Sequence, residues 1–333
     1  MRSVKLDGRC TVRLIEAPDP ACGAGEVVIA TAVSALCGSE LGTYRGAGQE
    51  SGNTGHEAAG LVAALGDGVT DLRIGQRVGV SAVVGCGRCP YCRKGQYTWC
   101  SQHRGYGSMH AERFVAAARG CHALPDDIPW DVGVLISGDG LGVPFHTSRK
   151  ISHAEIRTVA IFGVGPIGLG SVLLQSHLGR RVAAVDVHPY RVARAKEIGA
   201  EEAIDPNAGD VVERIRAWSD GGVDVAIEAA GRPETVKQCF AAVRPGGTVV
   251  FNGEQPSVAL SPSSDFIHRD ITAVGSWYYH FHEFAGMVDL YRRGLAVRKL
   301  ISHRFALEDA DAAYREFSSG RTAKVLLQIR PEA

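Results

Sequence analysis

The 333-residue sequence has no run of eighteen apolar residues, and its opening stretch MRSVKLDGRCTVRLIEAPDP holds no uninterrupted apolar segment of signal-peptide length. These absences argue against a membrane-spanning helix and a secretory leader, and they predict a cytoplasmic protein. A charge excess is missing too. Lys+Arg and Asp+Glu both total 36, so no global field steers the chain toward nucleic acid or an anionic membrane. There is no internal repeat, no low-complexity tract and no long linker. Nine cysteines in a chain of this length do not make a disulfide scaffold, and in a reducing compartment close-set cysteines are metal ligands or redox centres. What is plentiful is apolar material: 45% hydrophobic residues suffice for a large buried core, with two domains as the expectation for this length. The partners left by these exclusions are small molecules.

Four of the nine cysteines fall within 86-CGRCPYCRKGQYTWC-100. The spacing is C-x2-C-x2-C-x7-C, set among Gly87, Pro90 and Gly95, so a loop can wrap Cys86, Cys89, Cys92 and Cys100 around one ion. Four thiolates complete the tetrahedral preference of zinc and leave no position for water or substrate, which makes the expected site structural. The competing readings are an iron-sulfur cluster and four unligated thiols.

A second pattern lies at 157-RTVAIFGVGPIGLGSVLLQSHLGRRVAAVDVHPYRVARAKEIGA-200. An apolar run from Val159 to Phe162 leads into Gly163-Val164-Gly165-Pro166-Ile167-Gly168 and then an amphipathic segment, which reads as strand, tight turn, helix. Gly163 permits the turn, Gly165 lets the backbone approach a pyrophosphate, and Gly168 lets helix and strand pack closely. A second apolar strand, Arg181 to Val185, ends in Asp186, where a carboxylate accepts ribose hydroxyls and repels a 2′-phosphate. NAD is therefore expected over NADP, with Arg191 and His188 near enough to soften the preference. Further strand-like runs cover Val223 to Ala229, Gly247 to Phe251 and Ile271 to Gly275, with helical periodicity from Glu234 to Val243. Alternating strands and helices predict a doubly wound parallel sheet, whose ligands gather at strand C-termini, so Gly231 and Gly253 are expected to border the cofactor.

The third pattern is 36-LCGSELGTYRG-46 followed by 54-TGHEAAG-60. Cys37 and His56 are zinc-type ligands beside glycines, with Glu57 adjacent. By themselves they are equally well a buried cysteine and a hydrogen-bonded histidine.

In this order, Cys-Gly-Ser-Glu, Gly-His-Glu, four-cysteine lobe and Gly-x-Gly-x-x-Gly, the motifs resemble the zinc-dependent medium-chain alcohol dehydrogenases, threonine and polyol branch included. The resemblance runs through nearly the whole chain. It implies an α/β protein with a GroES-like, β-rich catalytic domain over 1–140, a Rossmann domain with a doubly wound parallel sheet over 141–279, and a segment over 280–333 that returns to the first domain. It implies a catalytic zinc on Cys37, His56 and a third residue, for which 135-LISGDGLGVPFHTS-148 offers Asp139, with His146 competing. Ser39 resembles the family's relay hydroxyl and Glu57 its carboxylate beside the metal. The relay histidine of many members would align near Gly42, which leaves water or Tyr44 for that step. Glu40 stands in place of an aspartate, and Val143 where several members carry a small hydroxyl residue.

Of the remaining residues, His110 faces either the substrate pocket or the surface, and Trp277 and His280 in 276-SWYYHFHEF-284 are either packing aromatics or polar tips of the pocket. Cys10, Cys22, Cys121 and Cys239 read as small buried side chains. The expected activity is a zinc- and NAD-dependent interconversion of a secondary alcohol and a ketone, with polyols, cyclitols or amino alcohols preferred on the strength of His110, Trp277 and His280. The alternatives are a primary alcohol or aldehyde dehydrogenase on the same fold, a non-catalytic NAD-binding zinc protein, and a zinc-free reductase. The resemblance also implies a homodimer or homotetramer.

Overall fold

The structure, a computed structural model, describes residues 1–330. The chain divides into two compact units. One contains Met1–Gly142, Tyr279–Arg293 and residues 301–330; the other contains Val143–Tyr278 and Gly294–Leu300. The divisions fall after Gly142 and Tyr278, where the sequence placed them after 140 and 279. The short return of Gly294–Leu300 to the second unit has no mark in the sequence; there the turn Val297–Leu300 packs on helix Pro166–His177.

The first unit is organised by strand Glu26–Ala35, buried at nine of its ten positions. An apolar run of this length survives inside a sheet only when both faces are covered. On one edge it pairs antiparallel with Ala58–Leu65, followed by Arg77–Val80 and Cys121–Ala123. On the other edge Arg113–Ala117 pairs with its first half, while Lys324–Gln328 pairs with its last residues and with Ile301–Ala306 beyond. The C-terminal segment thus becomes part of the N-terminal sheet. Helix Ala310–Ser318 seals this corner: Tyr314 and Phe317 pack with Leu6, Leu36 and Tyr44 in one buried cluster.

The second unit holds six parallel strands in the order Glu202–Ile204, Arg181–Val185, Thr158–Phe162, Val223–Glu228, Val243–Phe251, Thr272–Gly275. Numbered along the chain this is 3-2-1-4-5-6, the doubly wound order whose direction reverses beside the first strand, Thr158–Phe162. The sequence placed five of these strands to within a few residues and missed the short edge strand Glu202–Ile204. The last but one starts at Val243 instead of Gly247, where helix Pro233–Ala242 leads straight into it.

Among the described residues no helix is long and apolar enough to cross a membrane. All nine cysteines are free. Cys121 and Cys239 are buried as expected, but Cys10 is exposed and Cys22 half-buried. Cys10 sits with φ +60° in the turn between strands Arg2–Gly8 and Thr11–Glu16, where a two-stranded ribbon gives nothing to bury it.

Candidate active site

Strand register brings the first two candidate ligands together. Ser34 faces Ala58 across the antiparallel pair, so Cys37 just beyond one strand and His56 just before the other lie at the same end. Asp139 reaches them from the start of helix Asp139–Lys150. Its Oδ2 is 3.3 Å from Cys37 Sγ and 3.1 Å from His56 Nε2. Ligand-type atoms of Cys37, His56, Glu57 and Asp139 all lie within 4.8 Å of one another. His146 is outside this group; it sits two turns further along the same helix, about 10 Å at 1.5 Å per residue.

The donor set fits a zinc ion. His56 Nδ1 lies 2.9 Å from the Thr54 carbonyl, which only accepts, so Nδ1 carries the proton and the Nε2 lone pair is left for an ion. Asp139 Oδ1 is buried without a hydrogen-bond partner, a condition that costs free energy and that a cation relieves. Burial, and after it the charge of Asp139, holds the Cys37 thiol above its ordinary value, so ionising that sulfur calls for positive charge in the site. One thiolate, one imidazole and one carboxylate leave a fourth tetrahedral position open, as catalytic zinc sites do.

Two buried acids brace this centre. Glu57 has no exposure; Lys324 Nζ donates to its Oε1, and the Gly140 N–H donates to Oε2 at 3.3 Å. Lys324 Nζ also donates to the Leu36 carbonyl at 3.1 Å. Burial works against the charge of Lys324, but Glu57 beside it holds the ammonium above its ordinary value. Glu40 Oε1 accepts the Cys37 N–H at 3.0 Å.

The four-cysteine loop folds as a separate lobe of the same unit. Helix Pro90–Arg93 and the turn Tyr97–Trp99 bring all four sulfurs within 4.8 Å of one another. Sγ of Cys92 is 3.4 Å from that of Cys89 and 3.9 Å from that of Cys86, far beyond a disulfide bond of about 2.05 Å. The N–H groups of Cys86 and Gln102 donate to Cys100 Sγ and that of Cys92 to Cys89 Sγ, each at 3.4 Å. Such a cage suits a closed zinc site.

In the second unit, strand Thr158–Phe162 runs through Gly163, Val164 and Gly165 into helix Pro166–His177. Gly163 has φ +86°, and a Cβ there would stand 2.7 Å from the Ala230 backbone; one on Gly168 would stand 2.0 Å from the Gly163 carbonyl. At Gly165 the nearest atom is Arg191 Nη1, 3.9 Å away, so the middle glycine alone leaves its face open to a ligand. Asp186 ends the next strand with Oδ2 accepting from the Val164 N–H and Oδ1 from the His188 N–H, both at 2.9 Å. Arg191 Nη1 is 3.7 Å from Asp186 Oδ2. This arrangement suits a dinucleotide, with its pyrophosphate at the helix N-terminus and its ribose at Asp186. Gly231 and Gly253 lie in two loops that touch each other: a Cβ on Gly253 would stand 2.2 Å from the Gly231 nitrogen.

Comparison with known proteins identifies the family. Residues 166–293 match the zinc-binding dehydrogenase family, and residues 23–126 match the alcohol dehydrogenase GroES-like domain. The chain is 30% identical to L-threonine 3-dehydrogenase of Symbiobacterium thermophilum, over 97% of this chain and 96% of that protein. This chain belongs to the zinc-dependent medium-chain alcohol dehydrogenases. It is also 30% identical to sorbitol dehydrogenase of Halalkalibacterium halodurans, over 94% of both chains. An alcohol dehydrogenase from Thermus sp. ATN1 superposes with a TM-score of 0.90 at 27% identity, over 99% of this chain and all of that one. The protein is accordingly an oxidoreductase acting on CH–OH donors.

Within this alcohol dehydrogenase some sequence expectations need correction. His110 reaches neither a pocket nor the surface: it has no exposure, and its ring bonds Ser34 Oγ at 2.8 Å and Glu40 Oε2 at 3.0 Å. His280 is buried as well. It caps the turn Phe281–Glu283, bonds Thr98 at 2.9 Å and packs edge-on to Trp99, so it belongs to the four-cysteine lobe. Tyr44 is 2% exposed and packs against Tyr314 with ring centroids 5.4 Å apart, which removes it as a proton carrier. Ser39 is exposed at the head of helix Glu40–Arg45, and Gly42 on that helix has no neighbouring atom within 4 Å of where a Cβ would stand. Trp277 is 46% exposed at the end of the second unit's chain before Tyr278. Sequence reasoning missed Lys324, Tyr314 and the role of Glu40. The signal available for Lys324 was a lone charge opening the apolar strand KVLLQ, which reads as a solvated strand end.

Proposed function

We propose that the chain oxidises a secondary alcohol to a ketone with NAD as acceptor, and that its substrate is a polar alcohol such as a polyol, cyclitol or amino alcohol. The convergence of Cys37 Sγ, His56 Nε2 and Asp139 Oδ2 around one point carries this reading. Zinc held there would supply Lewis acidity to an alcohol oxygen, and a nicotinamide dinucleotide on the second unit would supply the hydride acceptor.

The chain's own residues supply the rest. Cys37, His56 and Asp139 hold the ion, and a carboxylate in place of a third soft ligand keeps the site a hard Lewis acid. Ser39 takes the substrate proton and, being exposed, hands it to water, since Gly42 and Tyr44 offer no further carrier. Gly163, Gly165, Pro166, Ile167 and Gly168 seat the pyrophosphate, and Asp186 selects the unphosphorylated ribose. Arg191, 3.7 Å from that carboxylate, limits how strongly NADP is rejected. Cys86, Cys89, Cys92 and Cys100 hold a structural zinc that orders their lobe. The preference for polar substrates has lost His110 and His280 as support. It rests now on the relatives named above, since threonine bears a secondary hydroxyl and sorbitol is a polyol. A homodimer or homotetramer in the cytoplasm completes the reading.

Zinc per chain, measured on protein purified without chelator, tests it. Two equivalents in the wild type and about one in Asp139→Asn support two sites. One equivalent in both after zinc reconstitution would put the non-catalytic and zinc-free readings ahead. A panel on which short alkanols far outrun every polyol, cyclitol and amino alcohol would overturn the substrate class.

A further inference from the structure

Behind the Cys37–His56–Asp139 centre lies a second polar cluster that takes no direct part in holding a metal. Glu40, His110, Tyr314 and Ser34 come from four separate segments of the first unit, and each has 1% exposure or less. Glu40 is the hub. Its Oε2 accepts from His110 Nε2 at 3.0 Å and from the Tyr314 hydroxyl, while its Oε1 accepts the Cys37 N–H at 3.0 Å. The same Oε1 stands 3.9 Å from His56 Nδ1. Since a carboxylate only accepts, His110 must carry its proton on Nε2. Its other nitrogen bonds Ser34 Oγ at 2.8 Å, on the strand that delivers Cys37. The bonds close a ring from Ser34 through His110 and Glu40 to Cys37, only three residues along the chain from Ser34.

A buried carboxylate is costly unless its lone pairs are taken, and here donors from three directions take them. Without His110 and Tyr314, Glu40 would be free to rotate about its side chain, and the peptide it holds at Cys37 would lose its anchor. With them, the Cys37 backbone is tied to helix Ala310–Ser318, nearly three hundred residues away in sequence. We infer that His110 and Tyr314 are positioning residues: by locking Glu40 they fix Cys37, and through it the geometry of the Cys37–His56–Asp139 centre. This inference rests on the reading of that centre as a zinc site.

The test uses the full-length protein loaded with zinc, in which the four-cysteine site serves as an internal reference. Zinc release to a chromogenic chelator is followed for wild type, Tyr314→Phe, His110→Phe and the conservative His110→Gln, whose amide can still donate to Glu40. Partners that orient metal ligands typically contribute about 10–100-fold in metal affinity. The expected result is one equivalent released about 10-fold or more faster from both Phe variants, the other at the wild-type rate, with His110→Gln restoring much of the difference. Cobalt substitution should show altered visible bands in the Phe variants alone. Tyr314→Phe deletes a single oxygen and keeps the variant series informative even if His110→Phe folds poorly. Wild-type release rates in both Phe variants would overturn the inference, as would loss of both equivalents in step with a lowered melting temperature. A wild type that holds only one equivalent after reconstitution would remove the underlying zinc reading, a failure distinct from the other two.

Discussion

Lys324 Nζ and Glu57 Oε1 form an ion pair in which neither side chain exceeds 1% exposure, immediately behind the Cys37–His56–Asp139 centre. The pairing is a consequence of topology. Leu326 faces Ala35 in the antiparallel pair of Lys324–Gln328 with Glu26–Ala35, and the Leu36 N–H donates to the Val325 carbonyl at 2.9 Å. Continued by two residues, that register sets Lys324 level with Cys37, where its Nζ reaches the Leu36 carbonyl, and Glu57 follows His56 at the same end of the sheet.

Breaking this pair from one side should be far worse than removing both partners. Lys324→Met leaves the Glu57 carboxylate buried without its cation, a loss of about 3–5 kcal/mol for pairs of this kind. Replacing both, as Glu57→Gln with Lys324→Met, should recover most of that stability. Urea unfolding of the wild type and the two variants measures the difference; a double variant no more stable than Lys324→Met would show that the pair does not act as a unit.

The four-cysteine lobe should depend on its ion independently of the other centre. Cys92→Ser removes a sulfur that is also packed among Val84, Tyr97 and Cys100. Zinc content should fall by one equivalent, and the fluorescence of Trp99, 50% exposed on this lobe, should change as the lobe loosens. A variant that keeps full zinc content would count against four-thiolate ligation.

How much of this was readable in the sequence follows from the distance over which each feature is made. The cysteine loop and the Gly163–Gly168 turn are local: spacing alone brings four sulfurs together, and an apolar run before glycines has few ways to fold. Cys37 and His56 are meaningless apart; the Ser34–Ala58 register makes them neighbours, and only a family resemblance could anticipate it. Lys324, His110 and Tyr314 were out of reach. Charged and polar residues read as solvated unless a long-range contact buries them, and theirs join chain positions between 70 and 288 residues apart. For His110 and His280 the sequence left alternatives open, because a histidine looks the same whether it faces a pocket or the packing behind it.

Coenzyme choice should shift at Asp186. The carboxylate orders the glycine turn through the Val164 N–H, and under the proposed reading its remaining lone pairs would meet a ribose. Asp186→Asn removes the charge that repels a 2′-phosphate and releases Arg191, 3.7 Å away, to meet one. The expected outcome is kcat/KM for NAD falling about 10-fold, the equivalent of one charged hydrogen bond at about 1.4 kcal/mol, with the NADP:NAD ratio rising. Equal losses with both coenzymes would mean that Asp186 serves the turn alone.

Acid sensitivity should trace to His122. Its ring lies between Phe281 and Phe284, with centroids 4.0 and 4.2 Å away and interplanar angles of 17° and 11°, and Nε2 is 3.1 Å from the Tyr279 hydroxyl. Burial in this aromatic sandwich pushes its pKa down to about 3 from the ordinary 6.5. The unfolded chain therefore binds a proton that the folded chain refuses between those two values. Stability from this group is fully present above pH 6.5 and is lost as pH falls through the window, by about 1.4 kcal/mol per unit. His122→Phe keeps the stack and drops the titration. Between pH 7.5 and 5.5 the wild type should lose roughly 1–1.5 kcal/mol more than the variant, read from urea midpoints at each pH. Parallel losses in the two proteins would place the acid lability elsewhere.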